Sequence, residues 1–314
     1  MESIGVLEEF SRQDERCSKI YKYILGQNPM QYEETYGERF LFWSDRMLLD
    51  LIVRKMKFYK MFALGNTISK YSAFYQYCAD KGYIRFNPFE KSKCFTATYL
   101  LNEIMEAGNV PYYTKDYVEK QCGAEEQNRP YDLSVALSVY EGIPDYVSLC
   151  RIRYADVDFK HRRIRGFDGL TLSEQLMDSY REMYKMDSYG FSGSKRAFDD
   201  SEGFLIRRIP GKNGEKVSET ANRQRIANHM NRLGLIRTVL YDSGLIQRIC
   251  DKMGVESFVE HMIHGNDVDK VIRIEKNKEL AEVLGQLGIG MSVKNFVYDY
   301  RVYAMCLKYG RLKL

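Results

Sequence analysis

Apolar residues recur at helical spacing through the first hundred positions of the chain, separated by short polar breaks. Residues 2–25 carry Ile4, Leu7, Phe10, Ile20, Tyr21 and Ile24 in that rhythm, and Gly26-Gln27-Asn28-Pro29 interrupts it. A second helix is expected to start at Ser44-Asp45 and run to Phe62, apolar on one side and bearing Arg54, Lys55, Lys57 and Lys60 on the other. A third is expected after Gly65, with Asn66 and Thr67 as its capping residues and Gly82 as its stop, and Tyr83 to Pro88 then form a turn. A further helix over about 96–107 precedes Gly108 and Pro111, so a first domain is expected at 1–107 and a second at 113–314.

The second half opens with a helix capped by Thr114, followed by a buried helix over RPYDLSVALSVYEGI, apolar at Leu133, Val135, Ala136, Leu137, Val139 and Tyr140. Between 154 and 208 the pattern shortens to β-prone pieces, ADVDF, RRIRGF and GFLIRRI, which suggests a small antiparallel sheet. Helical periodicity returns in SETANRQRIANHMNRLG, which ends at Gly234, and three or four short helices are expected from 236 to 313. The expected fold class is mainly α with a small antiparallel β-sheet.

Composition narrows the function classes. At 314 residues, 45% apolar and 29% charged, the chain has room for two ordinary hydrophobic cores. No apolar run approaches the roughly 20 residues of a membrane span, and MESIGVLEEF carries acids where a secretion signal carries bases. A cytoplasmic protein without a membrane partner is the expectation. Seven scattered cysteines with no C-x-x-C pair read as reduced thiols. The four histidines, of which only His261 and His264 lie close together, are too few for a metal site, so neither metal nor cofactor is expected.

Charge adds more than its net value of +4 suggests. Residues 203–237 hold Arg207, Arg208, Lys212, Lys216, Arg223, Arg225, Arg232 and Arg237 against only Glu215 and Glu219. Asn222, Gln224, Asn228 and Asn231 stand among them, so the segment offers both phosphate contacts and amides able to read adenine edges. One such window is also what a solvated helix face looks like. A second patch, Arg54, Lys55, Lys57 and Lys60 followed by Asn66, Thr67, Lys70 and Tyr71, shifts the weight toward a clamp on duplex DNA.

Several segments resemble the phage integrases, the tyrosine recombinases, over about residues 35–305. NTISKYSAFYQYCADKGYIRFNPF resembles the end of their helical core-binding domain, and YYTKDYVEK the opening of their catalytic domain. ALSVYEGIPDYVSLCRIRYADVDF, VLYDSGLIQRI and LGIGMSVKNFVYDYRVY resemble, in order, the three blocks that carry the catalytic residues. The resemblance implies a two-domain architecture, a helical core-binding domain plus an α+β catalytic-type domain. It also implies a tyrosine nucleophile and a set of cations that neutralise the phosphoryl oxygens.

The cations are absent from the matching positions. The first arginine falls on Pro144 or Asp145, the histidine on Thr238, the second arginine on Tyr241 and the later histidine on Ile289. Tyr298 stands where the nucleophile belongs, with Tyr300 and Tyr303 close by, and Lys160, Arg162, Arg163 and Arg165 occupy the region of the family's lysine. Losing one pre-positioned donor costs about 10²- to 10³-fold in rate, so loss of both arginines implies a protein without recombinase activity. The expectation is then a sequence-specific DNA-binding transcriptional repressor, a phage lysogeny repressor that occupies double-stranded operator sites. Its contacts would come from Lys57, Lys60, Asn66, Thr67, Lys70, Tyr71, Arg207, Arg208, Lys212, Asn222, Arg223, Arg225 and Arg232, and AMCLKYGRLKL could support self-association. The rival readings are an active recombinase using Tyr298 or Tyr300 with Arg151 or Arg153 and Arg237 or Arg248, and an integrase accessory factor.

Overall fold

The computed structural model describes residues 2–55, 61–107, 110–123, 126–167, 169–191, 194–199, 202–210, 216–263 and 278–312. It is mainly helical, with two antiparallel two-stranded hairpins. The chain divides into two compact units, one of residues Met1–Val110 with Lys294–Arg311 and one of Pro111–Val293 with the last three residues. The sequence expectation kept 113–314 in one domain; residues 294–311 group with the first unit instead.

In the first unit, α1 (Ser3–Ser11) and α2 (Glu15–Gly26) are separate helices, although one apolar rhythm runs through both. Asp14 makes the break, because its carboxylate accepts the Cys17 N–H at 2.7 Å and starts a new helix there. A short turn, α3 (Glu33–Tyr36), leads to α4 (Asp45–Lys55), and α5 runs without interruption from Met61 to Asp80. Asn66 and Thr67 therefore lie inside α5 and do not cap it. Thr67 is turned inward, its hydroxyl 2.6 Å from the Tyr23 hydroxyl. α6 (Pro88–Lys91), capped by Asn87 with Pro88 in its first turn, and α7 (Ala97–Glu106) follow, both packing on α5.

Aromatic rings fill this unit's core. Phe40 stacks on Phe74 at 5.8 Å, Tyr71 on Phe89 at 5.8 Å and Phe89 on Phe95 at 4.2 Å. Tyr75, itself buried, donates to the Phe40 carbonyl at 2.6 Å, which satisfies its hydroxyl inside the apolar interior. At the edge, Tyr77 and Tyr83 both donate to Glu9, at 2.7 and 2.8 Å, and these bonds hold its carboxyl below the usual range.

The second unit is built around α9 (Arg129–Tyr140), in which every residue from Tyr131 to Tyr140 is buried. α8 (Lys115–Cys122), α11 (Glu174–Lys185) and α13 (Arg237–Met253) pack directly on it, and α10 (Tyr146–Arg151) follows across a tight corner. Because α9 has no solvent side, its polar residues find partners within: Ser134 donates to Ser179 at 3.1 Å and Ser138 lies 2.6 Å from the Tyr180 hydroxyl. α12 (Glu219–Arg232) begins at Ser218, whose hydroxyl accepts the Ala221 N–H at 3.2 Å. α14 (Val255–Met262) and α15 (Lys278–Gln286) complete the unit, while α16 (Val293–Lys308) supplies most of the segment that groups with the first.

The sheet differs from its expected form. ADVDF and RRIRGF do pair, as β1 (Val157–Asp158) with β2 (Arg163–Ile164). GFLIRRI contributes only isolated bridges, Phe204 to Arg153 and Arg208 to Asp199. The second hairpin is β3 (Ser188–Phe191) with β4 (Ser194–Ala197), from a polar stretch with little β-propensity.

One contact sets how closely the helices of the second unit pack. A Cβ added at Gly244, on α13, would sit 1.7 Å from the Tyr140 carbonyl oxygen at the end of α9. A Cβ at Gly65, inside α5, would meet nothing within 4 Å. Gly244→Ala is therefore expected to cost at least about 2 kcal/mol or to prevent folding, because backbone must move. Gly65→Ala is expected to stabilise by about 0.5–1 kcal/mol. Denaturant unfolding of both variants checks the contrast, and equal effects would contradict it.

Candidate nucleic-acid interface

The residues expected to contact DNA fall into three groups. Lys57, Lys60 and Lys212 lie outside the described residues, as do Glu215 and His264. A second group is structural. Thr67 and Tyr71 are 4% and 1% exposed and belong to the first unit's core, so neither can present a side chain to a base or phosphate. Asn222 is 1% exposed and turned toward Cys150, its amide 3.8 Å from the sulfur. Arg207 is buried with its guanidinium donating to the carbonyls of Met186 and Tyr184 and standing 4.5 Å over the Phe198 ring. Arg208 pairs with Glu202 at 3.3 Å, also donates to the Val217 carbonyl and lies over Phe204. Their arginine-rich sequence looked like a phosphate surface, yet these guanidiniums tie loops to the core.

The third group faces solvent wholly or in part. Asn66 is exposed, and Lys70 is half-buried with its ammonium 3.7 Å from the centre of the Tyr23 ring. On α12, Arg232 is exposed and Arg223 half-buried. Arg225 is half-buried and donates to the Ile209 carbonyl at 2.6 Å. Another exposed cation group stands on the β1–β2 hairpin, where Lys160, Arg162, Arg163 and Arg165 all project into solvent. Asp158 shapes that turn by accepting the Lys160 and His161 N–H groups at 3.0 and 2.9 Å, and Arg162 adopts the left-handed region at φ 54°. Only Arg165 of the four arginines and lysines is paired, with Asp156 at 3.4 Å.

The positions where the resemblance would place cations hold structural groups instead. Pro144 is exposed, and its carbonyl accepts from Arg237. Asp145 caps α10 by accepting the Ser148 N–H at 2.7 Å, an acid in a role that suits it and repels phosphate. The Thr238 hydroxyl is enclosed, and burial pushes the half-buried Tyr241 phenol up from its ordinary value. Arg248 donates to the Tyr140 carbonyl at 2.6 Å, and burial lowers its pKa. Gly142, at φ 128°, leaves room for it: a Cβ there would meet Leu170 at 2.8 Å and Arg248 at 3.2 Å. Glu141 faces away and accepts from the Ser173 N–H and hydroxyl, with Lys115 at 3.6 Å.

Ile289 is half-buried just past α15, where its N–H bonds the Leu284 carbonyl at 2.9 Å. Tyr298 lies on α16 and is 38% exposed, whereas Tyr300 and Tyr303 are buried. Of the alternative arginines, Arg151 pairs with Glu219 at 2.9 Å and Arg237 and Arg248 serve backbone carbonyls. Among the described residues, no three His, Cys, Asp or Glu side chains gather into a metal-binding group, and no helix is long and apolar enough to cross a membrane. All seven cysteines are free thiols. No known family model matches the chain, and no curated protein sequence matches it.

One arrangement was not foreseen from the sequence. His229 and Tyr189 converge on the fully buried Asp132, with Nε2 3.0 Å and the phenol oxygen 3.2 Å from its carboxylate. They form one wall of a cavity of about 410 Å³ beneath α12. Isolated histidine and tyrosine positions gave no signal of this convergence, because it depends on α9, β3 and α12 meeting in space.

These placements separate arginines that support the fold from those that can serve a surface. Arg207→Ala is expected to lower unfolding free energy by about 2–4 kcal/mol, since it removes the donor to the Tyr184 and Met186 carbonyls and empties a buried, aromatic-lined slot. Arg223→Ala should stay within about 0.5 kcal/mol of the parent. Equilibrium urea unfolding of both proteins checks the assignment, and a reversed order would overturn it.

Proposed function

We propose that this chain is a sequence-specific DNA-binding repressor, of the kind that maintains prophage lysogeny, built on a tyrosine-recombinase architecture without the recombinase chemistry. The observation that carries the reading is the corner between α9 and α10. Where the resemblance calls for phosphate-binding cations, the chain has Pro144, a helix-capping Asp145, an enclosed Thr238 hydroxyl and Tyr241. The nearby guanidiniums of Arg237 and Arg248 are committed to backbone carbonyls. Such a corner cannot stabilise a phosphorane-like charge, while the exposed cations elsewhere remain suited to phosphate contacts.

The resemblance extends to the master repressor of SPβ-type Bacillus prophages, which has the recombinase fold and lacks its chemistry. On this reading the protein occupies operators of lytic genes. Lys160, Arg162 and Arg163 on the hairpin and Arg223 and Arg232 on α12 supply phosphate or base contacts in the second unit, and Asn66 and Lys70 do so in the first. Arg207, Arg208 and Asn222 shape the surface from behind.

The test is recovery and sequencing of fragmented prophage DNA retained by the purified full chain at about 150 mM salt. Several related short sites across promoters are the expected result. A single attachment-like locus, or no enrichment over random fragments, would overturn the repressor reading. On a recovered site, Arg223→Ala is expected to weaken binding by about 1–3 kcal/mol if it reads a base. If it contacts only phosphate, the loss should be similar on all sequences, with a shallower salt dependence.

A further inference from the structure

The buried carboxylate of Asp132 connects to the exposed face of α12 through one histidine. His229 Nε2 lies 3.0 Å from Asp132 Oδ1 and 2.8 Å from the Tyr189 hydroxyl, while Nδ1, on the other side of the ring, lies 3.4 Å from a guanidinium nitrogen of Arg232. The Asp132 side chain on α9 is 0% exposed and that of His229 14%, and Arg232, one turn further along α12, is open to solvent. The three residues lead stepwise from the interior to the surface.

Donor and acceptor rules fix the protons along this path. A guanidinium only donates, so Nδ1 accepts and carries no proton. A neutral imidazole then has its single proton on Nε2, which faces the Asp132 carboxylate, and the Tyr189 hydroxyl also donates to that carboxylate, at 3.2 Å. Asp132 thereby receives two donors, as a buried carboxylate requires.

A second proton on the ring would keep one end of this path and break the other. The imidazolium retains its Nε2–H toward Asp132, whose negative charge favours it. At Nδ1, however, two donors would face each other and a charged ring would stand 3.4 Å from a guanidinium. Among the described residues, the other charged or titratable side chains lining the cavity that His229 borders are Arg196 of β4, Arg225 of α12 and Tyr131 of α9, which donate to the Pro210, Ile209 and Arg207 carbonyls.

We infer that His229 is a positioning residue that aims Arg232 at DNA, and that uptake of a proton at Nδ1 releases Arg232 and weakens operator binding. The inference rests on the DNA-binding reading and adds to it a pH-sensitive element within the same helix.

Two variants and a change of pH test it. His229→Gln places an amide donor where Nε2 stands, so the bond to Asp132 is kept, and removes the acceptor that Arg232 meets. Arg232→Gln alters an exposed position. At about pH 8 and about 150 mM salt, each is expected to bind a recovered DNA site about five- to tenfold more weakly than the parent with an unchanged melting temperature, and the double variant no more weakly than either single one. Between about pH 8 and about pH 5.5 the parent should lose about fivefold in affinity relative to Arg232→Gln. Nitrogen NMR of the histidine rings in the free protein at about pH 8 should show the His229 proton on Nε2 alone. No DNA site recovered by the parent would overturn the DNA-binding reading and this inference together. A recovered site bound with parent affinity by His229→Gln, additive losses in the double variant, an equal pH response with and without Arg232, or a proton on Nδ1 at about pH 8 would overturn the inference alone.

Discussion

The second unit depends on one backbone carbonyl, that of Tyr140 at the end of α9. α13 approaches it so closely that only glycine fits at position 244, where a Cβ would overlap the oxygen at 1.7 Å. The same carbonyl accepts from Arg248 at 2.6 Å, four residues further along α13. One oxygen thus fixes both the distance and the rotation of the two central helices. The chain then turns at Glu141 and Gly142, with Glu141 bonded to Ser173 at the start of α11 and Gly142 leaving space for Leu170 and Arg248.

That fixity bears on the functional reading. A strand-cleaving site needs cations with unoccupied donors directed at a phosphate. Here the corner's guanidiniums are held by carbonyls and its acid caps a helix. Exposed charge is found instead on the β1–β2 hairpin and along α12. Contacts of that kind give affinity and register on a duplex without any bond being made or broken.

The broad outline was legible in the sequence because periodicity and capping act locally. Thr114 starts its helix as expected, with the Tyr117 N–H bonded to it at 3.2 Å, and Ser218 holds the Ala221 N–H at 3.2 Å in the same way. The apolar run of α9 announced a buried helix, and the structure buries every residue from Tyr131 to Tyr140. Thr67 and Asn66 misled, because a threonine after a glycine looks like a cap when its tertiary partner, Tyr23, lies 44 positions away. The arginines misled for a similar reason. Arg207 and Arg223 are alike in sequence, but one fills a slot between Tyr184 and Phe198 and the other stands on a helix face. The cavity under α12 had no sequence signal, since its cations and aromatic edges come from segments with different periodicities.

The central claim is that the chain binds DNA without cleaving it, and trapping of covalent intermediates tests it most directly. The full chain would be incubated with nicked DNA carrying its recovered sites, designed so that any tyrosyl–phosphate bond cannot be religated, then denatured and resolved by size. The account expects retained DNA under native conditions and no adduct after denaturation. A denaturation-resistant adduct that disappears in Tyr298→Phe would contradict it and establish an active recombinase.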